Sequence, residues 1–217
     1  MLERFSLQYP KVALQVFQVS NRQTGYAALQ ERKADVGLML SVASFEHELT
    51  KHLQGEVLFH ERICLAAALQ SPWARRRKIG FADLVDAAMI SPPSSETPGG
   101  AAIIEAFRAA GLPAPHVNVT TLSVHVRNSL SMRGRFIAVL PASILRFNPG
   151  LYSLKELSLD LPMQPSPVLI VVLKNRTLSP PVERFIECAR EIAKVIDAPP
   201  ASHKSKTMRS RGTVTGK

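Results

Sequence analysis

Little in this sequence marks redox, metal or membrane chemistry, and each shortage narrows the reading. Only two cysteines occur among 217 residues. Cys64 lies in an apolar run and Cys188 in a helical pattern, with no CxxC spacing, so both read as packing residues rather than as a disulfide, zinc or redox site. No stretch reaches the roughly 20 uninterrupted apolar residues of a membrane span. Met1 is followed by Glu3 and Arg4 rather than by a signal-peptide core, and the expectation is a cytoplasmic protein without a membrane partner. His47, Glu48 and His52 stand as HExxxH rather than HExxH. Five residues along a helix put the two imidazoles roughly 140° apart, too far to share a metal. Neither a nucleophile elbow nor a P-loop is found. No enzyme, metal or cofactor is therefore expected.

Acidic residues are scarce in one place. The last stretch, Ala198 to Lys217, carries Lys204, Lys206, Arg209, Arg211 and Lys217 and no acid, which accounts for half of the formal net charge of +10. It lacks periodic apolar positions and reads as a disordered basic tail over 199–217. The run Arg75-Arg76-Arg77-Lys78 beside Trp73 has no interleaved aromatics and reads as a solvated loop rather than a nucleic-acid surface.

What the chain does have is alternation. A 46% hydrophobic and 20% charged composition suits an ordinary folded core. Leu2, Phe5 and Tyr9 follow a helical spacing until Pro10, after which Val12, Leu14 and Val16 alternate like a strand. A helix over Thr24 to Lys33 and an apolar run over Ala34 to Leu40 complete a β-α-β unit. After a polar connection, Arg62 to Leu69 is a strand, followed by a helix at Phe81 to Asp86 and a strand at Ala88 to Ser91. Gly99 to Ala110 is a helix that stops at Gly111. A strand (Val117 to Val119), a helix (Ser123 to Met132) and another strand (Phe136 to Leu140) follow. Val168 to Leu173 is a strong strand, and Ser179-Pro180 opens a final helix with its apolar stripe through Val182, Phe185, Ile186, Ala189, Ala193 and Ile196. Such alternation predicts α/β architecture with mainly parallel sheets.

Particular residues then point to a family. Leu2 to Val16, with Tyr9-Pro10, resembles the helix, YP, strand opening of the effector domain of LysR-type transcriptional regulators. Leu29 to Leu40 (LQERKADVGLML) is similar to the helix end and "DLAL" strand of that family. Ser71-Pro72-Trp73-Ala74 stands for its "HPLA", and Ile79 to Leu84 for its "sl.DL". Arg133-Gly134 and Ile137-Ala138-Val139-Leu140-Pro141 resemble "G.GIALLP", with Phe136 in place of the second glycine. The resemblance runs over about residues 2 to 196 in unchanged order. It implies two Rossmann-like α/β lobes joined by two crossover strands, like a type 2 periplasmic binding protein, with a small metabolite held between them. Lobe one would take residues 1–58 plus 165–198, and lobe two 59–164. The family's helix-turn-helix, linker helix and first strand would all precede Met1, so DNA would be reached only through a segment outside this chain.

The resemblance also suggests where an effector would sit. The loop Pro92 to Gly99 precedes a helix, so Ser94, Ser95 and Thr97 are candidate ligand contacts, with a helix cap as the plain alternative. Glu96 beside them would disfavour a strongly anionic ligand if it pointed inward. Ser20 and Asn21 match a family position that contacts effector, or form an ordinary turn. Thr121 and Ser123 border the same cleft, though Ser123 suits a helix cap. Leu40 and Ser41 close the second strand where some relatives place an arginine for acid recognition, and its absence weakens a carboxylate reading. Leu2 and Phe5 of the first helix are expected at the interface of a homodimer or homotetramer. The leading function is an effector-binding regulatory domain. The alternatives are a transport-type solute-binding protein, an enzyme on the same fold, or a truncated remnant that pairs with full-length regulators.

Overall fold

Apolar runs and amphipathic stretches become two sheets with helices against them in a computed structural model that describes residues 1–19, 22–40, 52–95, 97–147, 152–159 and 161–197. Helices α1 (Leu2–Gln8) and α2 (Arg22–Gln30) precede strands β1 (Gly37–Leu40), β2 (Leu53–Glu61) and β3 (Ile63–Ala68). A one-turn helix α3 (Pro72–Arg75) and a 3₁₀ turn (Phe81–Leu84) lead to β4 (Met89–Ser91), α4 (Pro98–Ala109) and β5 (Val117–Thr120). Then come α5 (Val124–Ser131), β6 (Ile137–Pro141), α6 (Ala142–Phe147), β7 (Leu154–Glu156), β8 (Ser166–Leu173) and α7 (Pro180–Asp197). Gly111, at φ +69°, supplies the left-handed turn that ends α4, a conformation that costs glycine little.

Among the described residues the first sheet has strand order β1-β8-β2 and the second β5-β4-β6-β3-β7. Strands β5, β4 and β6 run parallel, because α4 and α5 carry the chain back across the sheet before each next strand. The other pairings are antiparallel, which corrects the expectation of mainly parallel sheets: β1 and β2 both oppose β8, and β3 opposes β6 and β7. The cause lies in how the chain changes sheets. It leaves the first sheet along β2 and β3, interrupted only at Arg62, and returns along β8. Outgoing and returning strands run in opposite directions and pair from Leu53↔Leu173 to Glu61↔Ser166. The result is a mixed α/β fold of type 2 periplasmic-binding-protein-like architecture, its two units linked by two crossing strands.

The second sheet is buried on both faces. Ile63, Leu65 and Ala67 of β3 join Ile137 and Val139 of β6 against Ile103 and Phe107 of α4. Cys64, Ala66 and Ala68 pack with Ala138 and Leu140 on the opposite face. Alternate residues thus find apolar partners on either side, which is why these strands read as continuous apolar runs. Burial pushes the Cys64 thiol up to about 12, which keeps it out of thiolate chemistry at neutral pH. In the first sheet, Leu53, Leu169 and Val171 pack on Leu29 of α2, while Ile170 meets Ile186 and Ala189 of α7. Arg190 of α7 clamps Glu56 of β2 through two hydrogen bonds of 2.7 and 3.0 Å.

Three expectations change. Residues 12–16 do not form a strand. The segment pairs with nothing among the described residues and exposes Leu14, Val16 and Phe17, Val16 to 67%. Alternation can dictate an extended backbone, but a ladder needs a neighbour, and among the described residues β1 pairs with β8 alone. Strand β2 was expected to be a polar connection. Its Gly55, Glu56 and His60 mask the signal, and the bulge between Val57 and Phe59 breaks the alternation. Phe5, expected at a subunit interface, is 0% exposed within its own chain. Its ring meets Phe185 of α7 edge-on at 5.2 Å and Tyr9 at 4.9 Å. Leu2 is 40% exposed.

Because Phe5 fastens α1 to α7, Phe5→Ala should lower unfolding stability by about 3 kcal/mol. Urea denaturation checks this, and a loss below about 1 kcal/mol would show that α1 is dispensable to the core.

Candidate functional site

The C-terminal ends of β4 and β5 bring two loops together. Ser91 and Thr120 are neighbours in the parallel ladder, and the Thr121 N–H donates to the Ser91 carbonyl at 3.1 Å. The loop after β4 runs into α4 and the loop after β5 into α5, so both helix N-termini open at one edge of the sheet. That edge is where open α/β sheets hold ligands. A cavity of about 1180 Å³ lies beside it, walled on one side by Ser94, Ser95 and Arg127 and on the other by Val36, Leu38 and Leu40 of the first unit.

The loop before α4 is fixed by its own hydrogen bonds. The Thr97 hydroxyl donates to the Pro93 carbonyl at 2.8 Å and accepts from the Gly100 N–H at 3.1 Å, the bond of an N-cap. Pro98 follows at the first helical position, where its missing N–H costs nothing. Gly100 permits the loop to lie directly on the helix. A Cβ there would stand 2.4 Å from the Pro92 carbonyl oxygen and 2.6 Å from that of Pro93.

The structure brings some expected site residues to the cavity and commits others to the backbone. Ser94 and Ser95 are exposed on its wall, and Thr97 and Leu40 also line it. The Thr97 hydroxyl already serves as the α4 cap. The Ser123 hydroxyl caps α5 by accepting from the Val126 N–H at 3.3 Å, and the Thr121 hydroxyl accepts from the Ser123 N–H at 3.2 Å. Thr121 and Ser123 stand behind the wall, which is formed there by Leu122 and Arg127. Leu2 and Phe5 border the same cavity through α1. Ser20, Asn21, Ser41 and Glu96 lie outside the described residues, as do His47, Glu48 and the tail from Ala198 onward.

Sequence reasoning missed Arg127. Helix α5 buries Arg127, Asn128 and Ser131. Arg127 is 4% exposed and donates through Nη1 to the carbonyls of Thr121 at 2.6 Å and Leu122 at 3.3 Å. Among the described residues its Nε has no partner, and burial lowers the affinity of the guanidinium for its proton. The Asn128 amide and the Ser131 hydroxyl are also buried, under α5, without partners among the described residues. The signal available in the sequence was a polar triplet at i, i+1 and i+4 on a short helix, the spacing of a single face.

Comparison with known proteins agrees with this geometry. The family described as "LysR substrate binding domain" matches residues 1–194. The CcmR regulatory domain of Synechocystis PCC6803, solved in complex with 2-PG, superposes with a TM-score of 0.68 at 18% identity, covering 91% of this chain and 91% of that one. The BenM effector binding domain with its effector benzoate gives a TM-score of 0.64 at 22% identity, covering 92% and 87%. The effector binding domain of QuiR in complex with shikimate gives 0.62 at 18% identity, covering 89% and 88%. Comparison with curated protein sequences gives no match. Among the described residues no helix is long and apolar enough to cross a membrane.

The close approach at Gly100 makes the loop sensitive to one methyl group. Gly100→Ala should cost about 1–3 kcal/mol, the usual penalty of overpacking, by pushing Pro92 and Pro93 off the helix. Thermal unfolding measures it, and an unchanged midpoint would mean that the loop is not seated as described.

Proposed function

Because the chain belongs to the LysR substrate-binding domain family, we propose that it is an effector-binding regulatory domain whose cleft takes up a small metabolite and controls transcription through the packing of paired subunits. The observation that carries this reading is the cavity of about 1180 Å³ walled by both units, with the loop ends of β4 and β5 at its edge. It is large enough for the ligand of a typical small-molecule site. The two units are joined by two crossing strands, so a ligand touching both walls favours the conformation in which they are closed. In this reading residues 1–58 plus 165–198 form one lobe and 59–164 the other. Ser94 and Ser95 offer hydroxyls to the ligand, and Leu40 an apolar contact from the opposite wall.

The domain acts by binding rather than catalysis, as suits a regulatory family. The family match favours this reading over the transport-type alternative, which shares the fold. Subunit contact falls to the exposed side of α1, where Leu2 and Leu7 remain 40% and 77% exposed. Light scattering at tens of micromolar should then report a dimer or tetramer, and a monomer throughout would remove this part of the reading.

A thermal-shift screen against small aromatic acids, amino acids and sugar acids tests the binding function. A ligand at 100 times its Kd stabilises the native state by about 2.7 kcal/mol. For a chain of this size that raises the midpoint by roughly 2–4 °C per kcal/mol. No shift for any compound at millimolar concentration would overturn the proposal.

A further inference from the structure

We propose that the cleft selects effectors carrying an oxyanion group, a carboxylate or phosphate, and that Arg127 is the residue that reads it. This deepens the effector-binding reading and rests on it. Among the described residues, the charged side chains that line the cavity are Lys33, Asp35 and Arg127. Lys33 is paired with Glu31 at 2.6 Å, and Asp35 with Arg176 at 3.6 Å. Arg127 is different. It is the most buried of the three, its acceptors are two neutral carbonyls, and among the described residues its Nε is unpartnered.

Burying a charge costs several kcal/mol unless an opposite charge and hydrogen bonds offset it. Two carbonyls hold the guanidinium in place but do not neutralise it. An anion in the cavity would, and a planar guanidinium offers the paired donors that fit a carboxylate or phosphate edge. Position agrees with charge. Arg127 is anchored on the Thr121 carbonyl, and Thr121 is bonded to Ser91 at the head of the loop that leads to α4. The N-terminal end of α4, a helix of 12 residues, borders the same cavity through Pro98 and Gly99 and adds the positive end of its dipole. The exposed hydroxyls of Ser94 and Ser95 lie on that wall as further donors.

The test compares paired ligands on three proteins. Small carboxylic acids, their neutral amides and inorganic phosphate are screened by thermal shift at constant ionic strength, and hits are titrated calorimetrically. The wild type, Arg127→Met and Arg127→Lys are used, with circular dichroism confirming that each variant is folded. The expected result is stabilisation of the wild type by one or more anions but not by the matching amides. Arg127→Met should weaken that binding by about 30-fold or more, as when one partner of a buried charge pair is removed. Arg127→Lys should recover part of it, because charge returns without the planar fork. Two results would overturn the inference while leaving the effector-binding reading in place. One is amides binding as well as acids. The other is anions stabilising wild type and a folded Arg127→Met equally. If no compound stabilises the wild type, the effector-binding reading falls and this inference with it. If Arg127→Met is unfolded, Arg127→Lys and the acid-against-amide comparison on the wild type decide the outcome by themselves.

Discussion

The antiparallel ladder between Leu53–Glu61 and Ser166–Leu173 is the constraint from which the rest of the structure follows. One strand takes the chain out of the first sheet and the other brings it back, so their pairing fixes how the two units face each other. β1 hangs on the far side of β8, and α7 packs against β2 through the Arg190–Glu56 clamp. At the junction itself Glu61 is buried. Its carboxylate accepts from the backbone N–H groups of Arg62 and Ser143 and from the Ser143 hydroxyl, holding the start of α6 to the crossing point. A carboxylate at a helix N-terminus is favourably placed against the dipole. The cleft is the space this junction leaves between the sheets.

In the second unit the parallel strands end together. β4 and β5 stop side by side, and the loops that follow them are stiffened where the Thr97 and Ser123 hydroxyls accept from the Gly100 and Val126 N–H groups. Hydroxyls that would be natural ligand donors are spent on this stiffening. From the second unit, a buried guanidinium and two exposed serines still line the cavity, a small polar set beside the apolar Leu122, Val139 and Leu140. Such a division suits recognition, since the apolar wall supplies binding energy and a few polar groups fix orientation.

α5 shows why part of the site escaped a reading by periodicity. Periodic apolar residues mark a buried face only when burial is what the helix is selected for. In α5 the apolar Val126 is 38% exposed while Arg127, Asn128 and Ser131 are buried, so polar side chains occupy the face that packs inward. No arginine stands near Leu40, but a cation, Arg127, reaches the cavity from a different element. Strand β2 escaped for another reason. A crossing strand half exposed to solvent carries glycine and acids, and its bulge interrupts the period of two that would reveal it.

Taken by itself, the sequence determined the local structure and the family. Pro10, Gly111 and Pro180 punctuate the helices, continuous apolar runs mark β3, β6 and β8, and the order of short motifs from Tyr9-Pro10 to Leu140-Pro141 carries the kinship. These are signals that depend on residues close in the chain. Tertiary structure alone decided the rest. Among the described residues it made most strand pairs antiparallel, left 12–16 without a ladder partner, turned Phe5 inward onto Phe185, and set Arg127 at the cleft beside a loop from another strand. Each of these depends on residues distant in sequence, and burial and pairing between them are settled only when the crossing strands bring the two sheets together.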